Sequence, residues 1–345
     1  MSQNEKATAF RVSACHPTWL RDDQRGSAIP RSAQYSRSVG IATPSVPGTA
    51  ARVTTNRLAT LMSATLLRLE EGQWSSTWAQ FLQRPDTLRR VNLKRRVPFL
   101  RSSAWRLAIG VRNITRTGQI GDGREAAAVD YVLQKAKAGD VDDVLATLDR
   151  FAYEKSMLIN VGDEKGALLD VAVRRANPKL ALELGTYCGY GALRIVRAAP
   201  AAKVYSVELA EANAVNARQI WAHAGVADRV TCVVGIIGDG GRTLDALAAE
   251  HGFAPGELDF LFLDHDKDAY LTDLQSILDR AWLHPGSIVV ADNVKVPGAP
   301  KYREYMRRQQ GTLWNTIEHK THLEYQRLVT DLVLESEYLG SKSSC

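Results

Sequence analysis

The 345-residue sequence predicts an α/β fold: an open, mostly parallel β-sheet with helices on both faces and an antiparallel strand at its end. Two observations support this prediction. From about residue 116, short apolar segments alternate with amphipathic segments of roughly 10 to 15 residues, as in a parallel sheet connected by crossover helices. The last two apolar segments have no helical segment between them, which predicts a closing hairpin.

The predicted elements follow in a regular order. Three helical segments come first, at residues 122–140, 140–155 and 166–178, the second with Asp140 as its N-cap. Five strands then alternate with five helices: strands at 180–184, 203–209, 229–234, 258–264 and 287–292, and helices at 189–199, 211–224, 241–251, 268–282 and 300–310. The hairpin strands are expected at 313–319 and 325–335.

Composition and charge divide the chain into three parts. Residues 1–56, rich in Ser, Arg, Pro, Thr and Gly, are expected to be a disordered basic tail because they cannot build a core. Residues 57–115 interleave Arg with apolar side chains and predict a basic amphipathic helical extension. Residues 1–115 hold 18 Lys and Arg against 6 Asp and Glu, a net charge of +12, so residues 116–345, with 26 against 32, are acidic.

The body, residues 116–340, is therefore expected to be a separate globular domain. Translation from Met1 and from Met62 both remain open.

Several classes of protein are disfavoured. There is no run of about 18 apolar residues for a transmembrane helix, and the N-terminus lacks the pattern of a secretory signal. The four cysteines are scattered, without a C-x-x-C pair, so no disulfide framework or zinc site is predicted. We expect a reduced, cytoplasmic protein.

The loop after the first strand, in "LELGTYCGYGALR", carries three glycines in a G-x-x-x-G-x-G spacing at Gly185, Gly189 and Gly191. This is neither a dinucleotide fingerprint nor a P-loop. Glu183 would repel a pyrophosphate, and Glu208 closes the second strand, where an acid accepts hydrogen bonds from ribose hydroxyls. Together they favour S-adenosylmethionine over NAD, although a tight turn and a solvated strand end remain the simpler alternatives.

Acidic residues also follow the fourth and fifth strands. Asp264 ends one strand and Asp292-Asn293 the next, and neighbouring strand ends lie about 5 Å apart. Two carboxylates and an amide oxygen suit Mg²⁺. The alternatives are a helix cap at Asp264, a role for which Asp268 is better placed, and a plain turn at Asp292-Asn293. Lys267 is a candidate general base, with a solvated surface lysine as its alternative.

Five segments, in order and at matching spacing, resemble the catechol O-methyltransferase family: "NVGDEKG", "LELGTYCGYGALR", "FLDHDKD", "ADNVKVPG" and "HLEYQ". The resemblance runs through about residues 122–339 and implies that the body, residues 116–340, is an S-adenosylmethionine-dependent methyltransferase domain. It implies a Rossmann-like class I methyltransferase fold, with S-adenosylmethionine and Mg²⁺ as cofactors and a small-molecule catechol as substrate.

The resemblance also implies roles for matched positions. Lys267 would be the base, and Glu324 would hold the second hydroxyl. The metal ligands would be Asp264, Asp292 and Asn293. The implied cofactor contacts are Val161, Glu183, Gly185, Tyr187, Gly191, Glu208, Leu209, Ile237 and Asp264. The implied substrate contacts are Lys267, Asn293, Pro297, Leu323 and Glu324.

Five positions depart from the animal members of that family. Met157 and Asp266 stand in place of tryptophans that shape the catechol pocket, Gly191 and Ile237 replace serines, and Gly238 replaces a glutamine.

Methylation of one hydroxyl of a Mg²⁺-chelated catechol is the expected function. Methylation of a bulkier vicinal-diol phenolic, such as a caffeoyl thioester or a flavonoid, is the alternative within the same fold. From another class, the basic arm leaves open binding to nucleic acid or to a membrane surface, but no N-P-P-Y-type motif is present and no nucleic-acid partner is firmly predicted. The sequence does not define an oligomeric state.

Overall fold

The computed structural model describes residues 102–340. The predicted disordered tail, residues 1–56, and residues 57–101 of the predicted extension lie outside this part of the chain, as do both candidate start methionines. The expected boundary at residue 116 falls inside the first described helix, Ser102–Thr117. Within residues 102–340, no helix is long and apolar enough to cross a membrane.

The described residues contain helices before the first strand and between the strands. The helices are α1 (Ser102–Thr117), α2 (Arg124–Lys135), α3 (Val141–Glu154), α4 (Gly162–Ala176), α5 (Tyr190–Ala198), α6 (Glu211–His223), α7 (Arg242–His251), α8 (Tyr270–Asp279) and α9 (Pro300–Arg308). The strands are β1 (Leu180–Leu184), β2 (Lys203–Glu208), β3 (Val230–Val234), β4 (Leu258–Leu263), β5 (Leu283–Ala291), β6 (Trp314–His322) and β7 (Thr330–Tyr338). A short π-helical turn, Val294–Gly298, follows β5.

The strands form one seven-stranded sheet in the order β3-β2-β1-β4-β5-β7-β6. Strands β1 to β5 are parallel, and β7 runs antiparallel to both of its neighbours, β5 and β6. The predicted α/β fold with a closing hairpin is confirmed. Strand order reverses between β1 and β4, and ligands bind at such a point, beyond the carboxyl ends of the strands.

Two apolar layers cover the sheet. One face packs side chains such as Phe260 and Phe262 against helices α2 to α6, and the other packs Leu182, Leu261 and Leu263 against helices α7 to α9. Alternate residues of a strand point to opposite faces, and both faces of the sheet are covered, so β1 and β4 are buried on both sides. These two central strands carry two of the strand ends at which the predicted site lies.

Most predicted elements are confirmed, but several boundaries differ. Helix α4 begins at Gly162, four residues earlier than predicted, and β6 continues to His322, three residues further than predicted. Asp140 caps α3 as predicted, because its side chain accepts a hydrogen bond from the backbone N–H of Asp143 (3.1 Å). Strand β5 begins at Leu283, four residues earlier than predicted, because Leu283 pairs with Leu258 before an irregularity in the register. Strand β7 begins only at Thr330, because the Gln326 side chain holds the preceding residues in a turn.

A further difference concerns the start of α8. The sequence favours Asp268 as the N-cap of this helix, but the N-cap is Ala269, which has no capping side chain. The backbone N–H of Asp268 instead donates to the carboxylate of Asp266 (3.1 Å), which closes a turn one residue before the helix.

Candidate active site

The carboxyl ends of β1, β2 and β4 open into a cavity of about 540 Å³. The structure brings the predicted site residues together around it. The lining includes Val161, Glu183, Gly185, Tyr187, Gly191, Glu208, Leu209, Ile237, Asp264, Lys267, Asn293, Pro297, Leu323 and Glu324. Asp292, the remaining predicted residue, is completely buried (0% exposed) and follows directly on β5.

The glycine loop after β1 lies close to the neighbouring strand end. Gly185 has a φ of 100°, and a Cβ atom there would lie 2.6 Å from the backbone oxygen of Asp264. At Gly191, an added Cβ atom would overlap the carboxylate of Glu183. The two glycines therefore let the loop pack against the end of β4 and leave room for the Glu183 side chain.

Glu183 is a buried carboxylate, 1% exposed, that lines the cavity. Its side chain accepts a hydrogen bond from the Ser206 hydroxyl. Burial, together with the negative charges of Asp264 and Glu208, raises the pKa of Glu183 to about 8. A cationic ligand in the cavity would favour the ionised form of Glu183.

Glu208, at the end of β2, is held by three donors. Its carboxylate accepts hydrogen bonds from the backbone N–H groups of Tyr187 and Ala210, both at 2.9 Å, and from the Asn213 amide at 3.2 Å. Burial raises the pKa of Glu208 despite these donors. Tyr187 has a φ of 50°, and its hydroxyl donates to Glu125 on α2 (3.0 Å). The glycine loop after β1 is thereby attached to α2.

Asp292 offers an oxygen that no described residue satisfies. Its Oδ1 lies 2.7 Å from the Lys165 ammonium and accepts from the backbone N–H of Asn293. Its Oδ2 is buried and has no hydrogen-bond partner within residues 102–340. Burial, together with Asp264, Glu324 and Asp331, raises the pKa of Asp292 against the opposing effect of Lys165. Such an oxygen fits a metal ligand, since a bound cation would compensate it.

Asp264 and Asn293 lie beside Asp292. The register of β4 with β5 pairs Leu263 with Ala291, so the residues that follow the two strands are neighbours. The Asn293 amide nitrogen donates to Glu324 (2.7 Å) and Asp331 (2.9 Å), which leaves Oδ1 of its side chain for a cation. Asn293 adopts a left-handed conformation with a φ of 55°, which Asn tolerates well.

Lys267 is buried, with 7% of its surface exposed, so the alternative of a solvated surface lysine is wrong. Its ammonium donates to Oδ1 of Asp264 (2.8 Å) and to the Tyr270 hydroxyl (2.7 Å). That hydroxyl in turn donates to the backbone oxygen of Leu263 (2.7 Å). These bonds fix the nitrogen at the rim of the cavity.

Comparison with known proteins assigns the family. Residues 135–323 match the family model described as O-methyltransferase. The chain belongs to this family. A probable O-methyltransferase of Mycobacterium tuberculosis is 84% identical over 234 residues, which are 68% of this chain and 100% of that protein.

Two further proteins are similar. Catechol O-methyltransferase B of Danio rerio is 40% identical over 210 residues, 61% of this chain and 76% of its own length. A crystal structure of an O-methyltransferase from Bacillus cereus in complex with SAH has a TM-score of 0.45 and 21% identity, and covers 61% of this chain and 90% of that one.

The O-methyltransferase also contains two buried charged residues beside the site that sequence reasoning missed. Lys165 on α4 and Asp331 on β7 are each 1% exposed, and they lie 3.3 Å apart. Burial alone would lower the pKa of Lys165, but Asp292, Glu324 and Asp331 raise it above its ordinary value. The available signals were the lysine inside "NVGDEKG" and the aspartate in the middle of the apolar segment "LVTDLVLE".

Helix α1 of the O-methyltransferase also reaches the cavity, although it lies mostly before the expected domain boundary. Its side chains Leu107 and Ile114 are part of the lining. The buried Arg124 guanidinium donates to the backbone oxygens of Ser103 (3.0 Å) and Met157. The first turn of α1 is thereby attached to the segment that carries Met157, another lining residue.

Proposed function

We propose that this O-methyltransferase transfers the methyl group of S-adenosylmethionine to one hydroxyl of a catechol, with Mg²⁺ as metal cofactor. One observation carries the proposal: Lys267 donates to Asp264 (2.8 Å), and the strand end of Asp264 lies beside the one that carries Asp292 and Asn293. The name of the Danio rerio relative supports it.

The charge of the cavity wall supports S-adenosylmethionine as the methyl donor. Its ammonium and sulfonium groups are cations, and they would favour the ionised form of Glu183, which lines the cavity together with Asp264. Glu208 stands at the end of the second strand, where an acid accepts hydrogen bonds from ribose hydroxyls. Gly185 lets the loop pack against the end of β4, and Gly191 leaves room for the Glu183 side chain.

The oxygen donors support Mg²⁺. Asp264, Asp292 and Asn293 would hold the ion, since hard cations take carboxylate and amide oxygens and Oδ2 of Asp292 has no other partner. When bound there, Mg²⁺ supplies positive charge that favours the ionised form of a catechol hydroxyl.

Lys267 is the proton acceptor in this proposal. A phenolic hydroxyl is a poor nucleophile until it loses its proton, since the pKa of a comparable tyrosine is about 10. In this proposal, the side-chain nitrogen of Lys267 takes that proton while Asp264 and Tyr270 hold it in place. The phenolate oxygen then forms a bond to the methyl carbon as the carbon–sulfur bond breaks.

Glu324 positions the second hydroxyl. Its described contacts with Lys165 and Asn293 both use Oε1, so Oε2 can accept a hydrogen bond from substrate. Pro297 and Leu323 line the same part of the cavity and would pack against the ring. A vicinal diol is required because one hydroxyl reacts while its neighbour is held.

The test is a methylation assay with catechols and matched monophenols, with Mg²⁺ and with excess chelator. We expect turnover only with Mg²⁺ and a vicinal diol. Asp292→Ala should lower turnover by at least about 100-fold, because charge stabilisation by the metal is worth several kcal/mol. Asp279→Ala, which removes an exposed carboxylate on α8, is the control. Equal turnover in chelator, or equal use of monophenols, would contradict the proposal.

One observation favours a bulkier phenolic as the second candidate substrate. Asp266 lines the cavity and is exposed, so the rim at this position carries no large aromatic side chain. Including a caffeoyl thioester and a catechol-containing flavonoid in the panel decides between the candidates by their kcat/KM values.

A further inference from the structure

The Lys165 ammonium lies at the centre of a buried acidic cluster. It is 2.7 Å from Asp292 and 3.3 Å from Asp331, and it donates to Oε1 of Glu324. Within residues 102–340, no other lysine or arginine forms an ion pair with these three carboxylates. One side chain from α4 therefore holds the end of β5 and the turn between β6 and β7 together.

Asp331 makes the complementary connection from β7. Its Oδ1 accepts from the backbone N–H groups of Lys295 (3.2 Å) and Val296 (2.9 Å). Its Oδ2 accepts from the Asn293 amide (2.9 Å) and from Lys165. The turn that carries Asn293 and leads to Pro297 is thus attached to the sheet through one carboxylate.

Neither residue lines the cavity, whereas Asn293 and Glu324 do. Lys165 and Asp331 therefore contact the groups that would touch substrate without touching it themselves. Lys165 also occupies Oε1 of Glu324 and so directs the other oxygen, Oε2, to the substrate side. The amide of Asn293 is held by its nitrogen, which sets the direction of its oxygen.

We propose that Lys165 and Asp331 are positioning residues that fix Glu324 and Asn293 in the geometry required to bind the diol. This inference rests on the proposed function. The alternative is that Lys165 only neutralises the negative charge of the three carboxylates, and the two explanations predict different results. If Lys165 only offset negative charge, its removal would strengthen Mg²⁺ binding and leave diol binding unchanged. If it positions Glu324, its removal weakens diol binding whatever happens to the metal.

The experiment measures binding by calorimetry for the full chain and for Lys165→Met. Three dissociation constants are compared: that of Mg²⁺, that of S-adenosylmethionine, and that of a catechol in the presence of Mg²⁺ and SAH. We expect catechol binding to weaken by roughly 10- to 100-fold, as for the loss of a charge-assisted hydrogen bond. S-adenosylmethionine binding should change by less than about twofold, because Lys165 lies outside the cavity lining.

Arg194→Met is the matched control. It removes a buried cation that pairs with Asp170 (2.8 Å) and lies outside the cavity lining. General loosening of the core would affect both variants, whereas loss of positioning should affect catechol binding only in Lys165→Met. In turnover, Lys165→Met should raise KM for catechol more than it lowers kcat.

Asp331→Asn tests the same inference if Lys165→Met does not fold. Asn keeps an acceptor for the backbone N–H groups of Lys295 and Val296 but loses the charge that faces Lys165. We expect weaker catechol binding here too. Unchanged catechol binding in a folded variant of either residue would overturn the inference. A wild-type protein that neither binds nor methylates catechols would instead refute the proposed function, so the two failures are distinguishable.

Discussion

At the residue scale, Lys267 and Glu183 show how burial turns ordinary side chains into reactive ones. The Lys267 nitrogen donates a hydrogen bond to the Tyr270 hydroxyl, which itself donates to the backbone oxygen of Leu263. These bonds hold the nitrogen in one position, whereas the nitrogen of a surface lysine moves freely in solvent. Glu183 lies in the cavity wall, where burial raises the pKa of its carboxyl to about 8. In the proposed reaction, Lys267 accepts a proton at a fixed point, and a cationic cofactor favours the ionised form of Glu183.

Lys267→Met should lower kcat by roughly 10² to 10⁴, the range for loss of a positioned general base. The loss should shrink at high pH, where the catechol hydroxyl ionises without help. The measurement is kcat against pH for the variant and for Lys203→Met, which replaces an exposed lysine on β2. A wild-type kcat at neutral pH would remove Lys267 from the mechanism.

Glu183 should make the ligand-free protein less stable as pH rises. Its pKa in the folded state is about 8, above its ordinary value of 4.5, so the folded protein holds the proton that the unfolded chain releases. Its contribution to stability is fully present below pH 4.5 and is lost as pH rises through about 8.

The melting temperature, followed from pH 5 to pH 9 in wild-type protein and Glu183→Gln, checks this prediction. The wild-type protein should lose more stability over this range than the variant. Asp149, whose pKa burial raises to about 6, contributes equally to both proteins and cancels in the comparison. Glu257→Gln, an exposed change, should follow the wild type. Parallel curves for wild type and Glu183→Gln would show that Glu183 titrates normally.

At the scale of elements, the strands and the helices between them were predictable because each carries its own signal. Strand β4 is apolar on both faces, and α3 begins with an aspartate that caps it. The start of β5 was missed because "HPG" is typical of a turn, whereas the pairing of Leu283 with Leu258 extends the strand through it. Local signals fail where pairing with a distant segment decides the structure.

The same distinction separates the predicted site residues from the missed ones. Asp264 and Asp292 follow apolar strands, so the sheet alone brings them together. The burial of Lys165 depends on carboxylates 159 and 166 positions away, Glu324 and Asp331. The sequence around Lys165 contains no pattern that predicts those partners. A charged residue on an otherwise buried helix face therefore indicates that a residue of opposite charge, distant in sequence, packs against it.

At the scale of the whole molecule, the described body contains every predicted site residue between Val161 and Glu324. Helix α1 extends this unit toward the N-terminus, because Leu107 is buried and lines the cavity with Ile114. Arg124 attaches the start of the helix to the body through the backbone oxygen of Ser103. The functional unit is therefore expected to begin near residue 102, inside the predicted extension.

We accordingly predict different outcomes for two shortened proteins. A protein starting at Ser102 should keep the S-adenosylmethionine affinity and the turnover of the full chain, because the described cavity and its supports lie within residues 102–340.

A protein starting at Gly118 loses the apolar contacts of Leu107 and Ile114 and leaves Arg124, 2% exposed, without one of its acceptors. It should bind cofactor or catechol more weakly and melt at a lower temperature, since an unsatisfied buried donor costs about 1 to 3 kcal/mol. Calorimetric titration, turnover at matched Mg²⁺ and thermal unfolding of the three proteins test both statements. If the protein starting at Ser102 is folded but inactive, residues before 102 contribute to the site; if the one starting at Gly118 matches the full chain, α1 has no part in it.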